Sequence, residues 1–243
     1  MEKRNEFFLP AVILGVSLII GVVVFTNAWK TNQRSNQTIT VTGSAKKDIV
    51  SDLGFLRGTI SVQASTSEGA YIELNREKPT LISYLEGKGF SKDKIEFNTI
   101  NSYPVYEMNE QGYSTGRVAG YVYSQRIEVQ STDVYKIKEI SLDITSLIQK
   151  GVRFNVEPPE YHYTKIADLK IEIQAEAAKD AMVRAQKIAD ATDRDLGPMR
   201  GARMGVIQIT PKYSNAISDY GINDLSSIDK EIIGVVNASF QIE

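Results

Sequence analysis

The sequence predicts an α+β fold behind a single N-terminal transmembrane helix, and three observations carry that prediction. Phe7–Ala28 is an apolar run without an ionisable side chain. From Ile49 to Tyr163, segments of strand period and helix period alternate in the order β-α-β-β-α-β, which predicts an antiparallel sheet unit with two helices on one face. A long helix with a largely alanine inner stripe then precedes two further strands, the last ending at Ile242.

At about 1.5 Å per residue, the apolar run is long enough to cross a hydrocarbon layer of about 30 Å. Pro10 falls in its first turn, where a missing N–H costs little. Trp29 follows the run, where an amphipathic ring suits the membrane interface. A secretory signal has a shorter apolar stretch, about 7–15 residues, so length favours an uncleaved anchor over cleavage near Thr26-Asn27-Ala28. Lys3 and Arg4 face Lys30 and Arg34 across the span, so the positive-inside bias nearly cancels. A short tail before a long domain then points to an inside N-terminus. The resulting division is a cytoplasmic tail (1–6), a transmembrane anchor (7–29), a polar tether (30–37) and an extracytoplasmic, periplasmic domain (38–243). The lipid bilayer is the first partner this implies.

Within the domain, Ile39–Ala45 alternates as a strand, with Gly43 read as a bend or bulge. Ile49–Ala64 reads as one longer strand. Ser65–Ser67 offers capping hydroxyls to a helix over Ala70–Lys88, closed by Gly89 and expected to kink or split at Pro79. Lys94–Tyr106 and Arg117–Gln130 are strands joined by the polar loop Glu107–Gly116. Asp133–Lys150 is a helix stopped by Gly151, and Val152–Tyr163 is an edge strand interrupted at Pro158-Pro159. The long helix, Ile166–Thr192, has the inner stripe Ile166, Leu169, Ile173, Ala177, Ala181, Ala185 and Ile188. Small side chains there predict a close approach to a partner element. Leu196-Gly197-Pro198 should turn the chain before strands at Arg203–Thr210 and Ile232–Ile242, separated by the polar loop Lys212–Asp229.

Composition narrows function. The chain is 42% hydrophobic and 24% charged with net charge −2, an ordinary globular balance without the basic footprint that neutralises phosphates. Nucleic acid is therefore not an expected partner. No cysteine is present, which excludes disulfides, thiol nucleophiles and zinc–thiolate sites. His162 is the single histidine, too little for a typical metal cluster. No Gly-x-Ser-x-Gly elbow, P-loop or dinucleotide fingerprint occurs. No catalytic residue, metal site or cofactor is expected. Glu157 and Glu160 flank Pro158-Pro159 as a candidate cation site, against the commoner reading of solvated loop charges.

Four stretches resemble the SIMPL-domain family of bacterial envelope proteins, formerly DUF541. They are ITVTGSA (Ile39–Ala45), GRVAGYVYSQRIEVQ (Gly116–Gln130), AEAAKDAMVRAQKIADATDRDLGPM (Ala175–Met199) and IIGVVNASFQI (Ile232–Ile242). Asp193 departs from the glycine usual at the helix end, a place where Asp accepts a left-handed cap. The resemblance implies an α+β domain, an extracytoplasmic location and, for some members, self-assembly. It supplies no catalytic residues, and its link to stress protection is loose.

Tyrosines stand out as interface candidates. Tyr103, Tyr106, Tyr113, Tyr121 and Tyr123 cluster around one hairpin, and Tyr161 and Tyr163 frame His162. Aromatics are enriched at protein interfaces; the competing reading is a sheet face under a helix. The candidate interface residues are Tyr103, Tyr106 and Tyr113 on the hairpin and Ala177, Ala181 and Ala185 on the long helix. The expected function is a membrane-anchored, non-enzymatic homo-oligomer acting in envelope stress protection. The alternative is a ligand- or partner-binding sensor using Glu107–Gly116 and Lys212–Asp229.

Overall fold

The computed structural model describes residues 8–35 and 37–242; the tail expected at residues 1–6 lies outside them. Helix α1 spans Phe8–Ser35, and its segment Pro10–Asn27 has the length and hydropathy needed to cross a membrane. The helix continues past Trp29, so the backbone of the stretch read as a tether is helical as far as Ser35. Once a helix is nucleated, each further residue adds a hydrogen bond, and polar residues extend it at small cost.

Beyond α1 the chain folds as α+β with antiparallel sheets. It divides into two compact units, each made of separate stretches. The larger comprises Lys47–Ala167 and Gln208–Ile232. Its sheet contains β2 (Leu53–Ala64), β3 (Ile95–Met108), β4 (Ser114–Ser131), β5 (Phe154–Val156) and β6 (Glu160–His162). Strand order is β3-β4-β2-β5, with β6 also on β2, so the two β-α-β crossings are split by a strand between their ends. Helix α2 (Ser67–Gly87) and helix α3 (Val134–Asp143), which continues as a 3-10 segment over Ile144–Lys150, cover this sheet. Leu74, Leu81 and Leu85 of α2 meet Ile137, Ile140 and Leu147, with Leu56, Ile60 and Ile127 from the strands, in one core.

Capping explains where these helices begin. Thr66 accepts a hydrogen bond from the Gly69 N–H, and Asp133 accepts one from the Lys136 N–H. Gly151, at φ +77°, ends the second helical region in the left-handed conformation expected of it. Pro79, expected to break α2, sits inside a continuous helix. Pro79 itself lies on the exposed side of that helix. The strand expected over Ile49–Ala64 is instead divided at Ser51-Asp52. Ser51 N–H donates to the Ile228 carbonyl, and the Asp52 carboxylate accepts from Thr164 N–H and Oγ1 at 2.7 Å each, so short polar side chains hold a turn there.

The smaller unit comprises Met1–Lys46, Asp168–Ile207 and Ile233–Glu243. Its strands belong to β1 (Thr38–Val50), β7 (Leu196–Met204) and β10 (Asp229–Ile242), with β10 paired to both of the others. Helix α4 (Ile166–Ala191) contributes Ala177, Ala181 and Ala185 to a core with Val41, Val236, Ala238 and Phe240. The buried line on α4 runs Leu169, Ile173, Ala177, Ala181, Ala185, Ala189, at steps of four throughout. Ile188, placed in the stripe by sequence, is instead 43% exposed. Rows spaced by four residues incline to the helix axis and follow a twisted sheet.

Three further readings change. Gly43 makes no bend; β1 is continuous, and a Cβ there would lie 2.2 Å from the Ala177 carbonyl oxygen and 2.3 Å from the Ala181 nitrogen. The glycine is needed because the helix backbone lies directly on the strand. Leu196-Gly197-Pro198 opens β7 rather than turning the chain, and Pro198 is accommodated at a register shift between Met199 and Leu196 against β10. The single strand expected over Arg203–Thr210 is two, the end of β7 and β8 (Gln208–Pro211), with a short β9 (Ile222–Asn223) inside the following loop. Asp193 caps α4 at φ +50°, as its helix-end position required.

Asp180 ties α4 to β1 in the same unit. Its Oδ2 accepts the Ser44 N–H at 2.8 Å and Arg184 Nε at 2.7 Å. The Ser44 N–H, and then Arg184, hold this carboxyl below its ordinary range. A depressed folded value contributes stability above the unfolded pKa of about 3.9 and loses it as pH falls through the folded value. Asp180→Asn should therefore be less stable than the parent at neutral pH, with the gap closing on acidification below about pH 4. Paired thermal melts across that range test this; a pH-independent gap would assign the contribution to shape rather than charge.

Candidate interface: a two-stranded arm

The site begins with an imbalance of strand lengths. β2 pairs with β4 from Gly54↔Ser131 to Ala64↔Tyr121 and then stops. Among the described residues, β4 continues toward Ser114 paired with β3 alone, through Val105↔Gly120, Tyr106↔Val118 and Met108↔Ser114. An isolated two-stranded ribbon buries too little surface to be more than marginal in water. Every residue from 106 to 119 is exposed.

The tip is nonetheless ordered by its own polar groups. The Asn109 side-chain oxygen accepts the Gln111 and Tyr113 N–H groups at 3.1 and 2.9 Å, and Gly112 takes φ +82°. Tyr106, Met108 and Val118 are 45%, 69% and 45% exposed, and Tyr106 faces the same side as its cross-strand partner Val118. Tyr103 pairs with Val122, and Tyr113 stands at the tip, so the three tyrosines singled out by sequence share one hairpin but no single face. Tyr121 and Tyr123 behave differently. Both pack against the core, and Tyr123 shares a 2.7 Å hydroxyl hydrogen bond with Ser67.

Ala177, Ala181 and Ala185 are fully buried under β1 and β10 of the same chain. Their small size serves helix–strand contact inside the unit. Glu157 and Glu160 do not converge as a cation site, because Arg126 and Arg57 take them at 2.5 and 2.7 Å. Arg57 holds the Glu160 carboxyl below the usual carboxylate range. His162 lies 3.3 Å from Glu160 and edge-on to Phe55. Among the described residues, no group of three or more His, Asp or Glu is positioned to hold a metal.

Three buried charges escaped the sequence reading: Glu77, Lys230 and Glu231, the last only 1% exposed. Glu77 of α2, 4% exposed, accepts the Arg153 N–H at 2.8 Å, Nε at 2.9 Å and Nη2 at 2.6 Å. Lys230, 2% exposed, donates from Nζ to the Tyr161 and Asp224 carbonyls at 2.6 and 2.5 Å, and burial lowers its pKa. The sole signal for Glu77 was its position one turn from Leu74 and Leu81, on the apolar stripe.

The architecture is that of an α+β protein led by an apolar helix of membrane-spanning length, the property of an anchor or of a signal sequence. The chain belongs to the SIMPL family, described as a protein of unknown function (DUF541), whose model matches residues 39–224. No curated protein matches it.

Proposed function

We propose that the protein is a membrane-anchored, non-catalytic scaffold of the cell envelope. Its extracytoplasmic domain self-assembles through the β3–β4 arm. The observation that carries this reading is a ribbon extending past its third strand with Tyr106, Met108 and Val118 exposed on it. Such a surface gains burial when a second copy covers it, and anchoring in one membrane raises the effective concentration of copies. The arm carries Glu107, Glu110 and Arg117 among polar and aromatic residues, a balance that does not repel an identical arm strongly. Protection against envelope stress is the role such a scaffold would serve.

Native mass measurement of the full-length protein in detergent tests the proposal. The parent should run as a defined homo-oligomer at micromolar concentration. Tyr106→Ser/Met108→Ser/Val118→Ser should run as a monomer with an unchanged thermal midpoint, because these side chains are already in water. A monomeric parent, or a variant that assembles as well as the parent, refutes the arm as the interface.

A further inference from the structure

The strands of the smaller unit carry no negative side chain. Residues 38–46 of β1, Leu196–Met204 of β7 and residues 233–242 of β10 contain no Asp or Glu, although the chain's net charge is −2. Val236, Ala238 and Phe240 pack with the alanine row of α4, so strand alternation turns Asn237 and Ser239 to the opposite side of the sheet. Thr40, Thr42, Arg203 and Asn237 are all exposed on that side.

The donors on this face are oriented. Thr42 Oγ1 donates to Asn237 Oδ1 at 2.6 Å, which fixes the amide and directs its NH2 group away from β1. Arg203 stands directly opposite Asn237 in the β7–β10 pair, so the two side chains are neighbours on one face. No ion pair holds Arg203 among the described residues. The amide NH2 group and the guanidinium therefore meet as donors, with the amide oxygen already taken. Two residues further along β10, Ser239 and Thr40 share a 2.8 Å hydroxyl hydrogen bond opposite Gly201.

This chemistry narrows the ligand. Paired donors without a carboxylate call for an anion, and a guanidinium fork fits the planar carboxylate. The two arginines of β7 fall short of the roughly four to eight basic residues that hold a segment on anionic lipid. A nucleic acid needs a cation for each phosphate it loses to the protein. Peptides are taken at strand edges or in apolar grooves, and the centre of this face is neither. Hydroxyls that both donate and accept, set beside the donor pair, match the ring hydroxyls of a sugar.

We propose that this face binds a carboxylate-bearing polysaccharide, with Arg203 and Asn237 on the carboxylate and the Thr40–Ser239 pair on neighbouring ring hydroxyls.

The test is calorimetric titration of the full-length protein in detergent with tetragalacturonate, cellotetraose and inorganic phosphate. Tetragalacturonate should bind saturably, cellotetraose about tenfold more weakly and phosphate not measurably. Arg203→Gln should weaken tetragalacturonate binding about tenfold. Asn237→Asp keeps an acceptor for Thr42 but sets a negative charge against the ligand, and should abolish binding. Both positions are exposed, so both variants should melt as the parent does. The titration reads this face whether or not copies assemble through the arm. No binding of tetragalacturonate, equal binding of cellotetraose, binding of phosphate in its place, or variants that bind as the parent does would overturn the proposal.

Discussion

Gly43→Ala should lower the stability of the domain by about 3 kcal/mol, the upper part of the range for overpacking a close contact. The added methyl would sit within 2.7 Å of three backbone atoms, the Ala177 oxygen and the Ala181 nitrogen and Cα. A flexible side chain could rotate away, but backbone in the middle of α4 cannot. The helix must lift from the strand, and the contacts of Val41, Val236 and Phe240 with the alanine row loosen with it. The opposite expectation is just as definite. Were the strand free of the helix, replacing glycine by alanine would stabilise it slightly, because glycine weakens a strand interior. Chemical denaturation of the parent and variant therefore reads a sign, not merely a size, and a neutral or stabilising result would remove the close approach of α4 to β1.

Glu77→Ala has the second large expected effect, a loss of about 2–3 kcal/mol. Removing one partner of a buried ion pair costs roughly 3–5 kcal/mol when the other charge stays buried. Here the Arg153 side chain remains 48% exposed and regains water, which reduces the figure. The Arg153 N–H, held by Glu77 Oε2 at 2.8 Å, loses its side-chain acceptor as well. Glu77→Gln separates the terms. It keeps an oxygen for that N–H while giving up the charge, and should lose about half as much. Equal losses for the two variants would place the whole contribution in the charge.

The strands and helices that the sequence disclosed are those whose burial follows a short local period. Ile60 and Val62 on β2, and Val236, Ala238 and Phe240 on β10, give an alternation that survives in the structure. The alanine row of α4 was equally plain, and so was the close contact it implied. The strand it approaches was not legible, because Gly43 and Ala181 are far apart in the chain, and a glycine in a strand has the same local reading whether it bends or is overlain. Glu77 was hidden for a similar reason. It lies among Glu73, Arg76 and Lys78 on a polar-looking helix, and its burial depends on Arg153, 76 positions away. The hairpin was visible as two strands and a polar loop. Its projection past β2 depends on where Ala64 ends a different strand, which no property of the hairpin itself encodes.

The smaller unit also sets an order in time. Its first strand, β1, bonds through Thr40 to Ser239 and through Thr42 to Asn237, the latter at 2.6 Å. A ribosome makes β1 before β10, so β1 waits while residues 51–228 are made, with its edges unpaired and Val41 uncovered. Contacts this distant in sequence form slowly and leave a nascent chain open to wrong partners. The β2–β6 sheet and its two helices come from one continuous stretch and can close while synthesis continues. The chain therefore carries an obligate delay between its first strand and that strand's partner, and a folding helper has most to gain by shielding Thr38–Val50 until Asp229–Ile242 emerges.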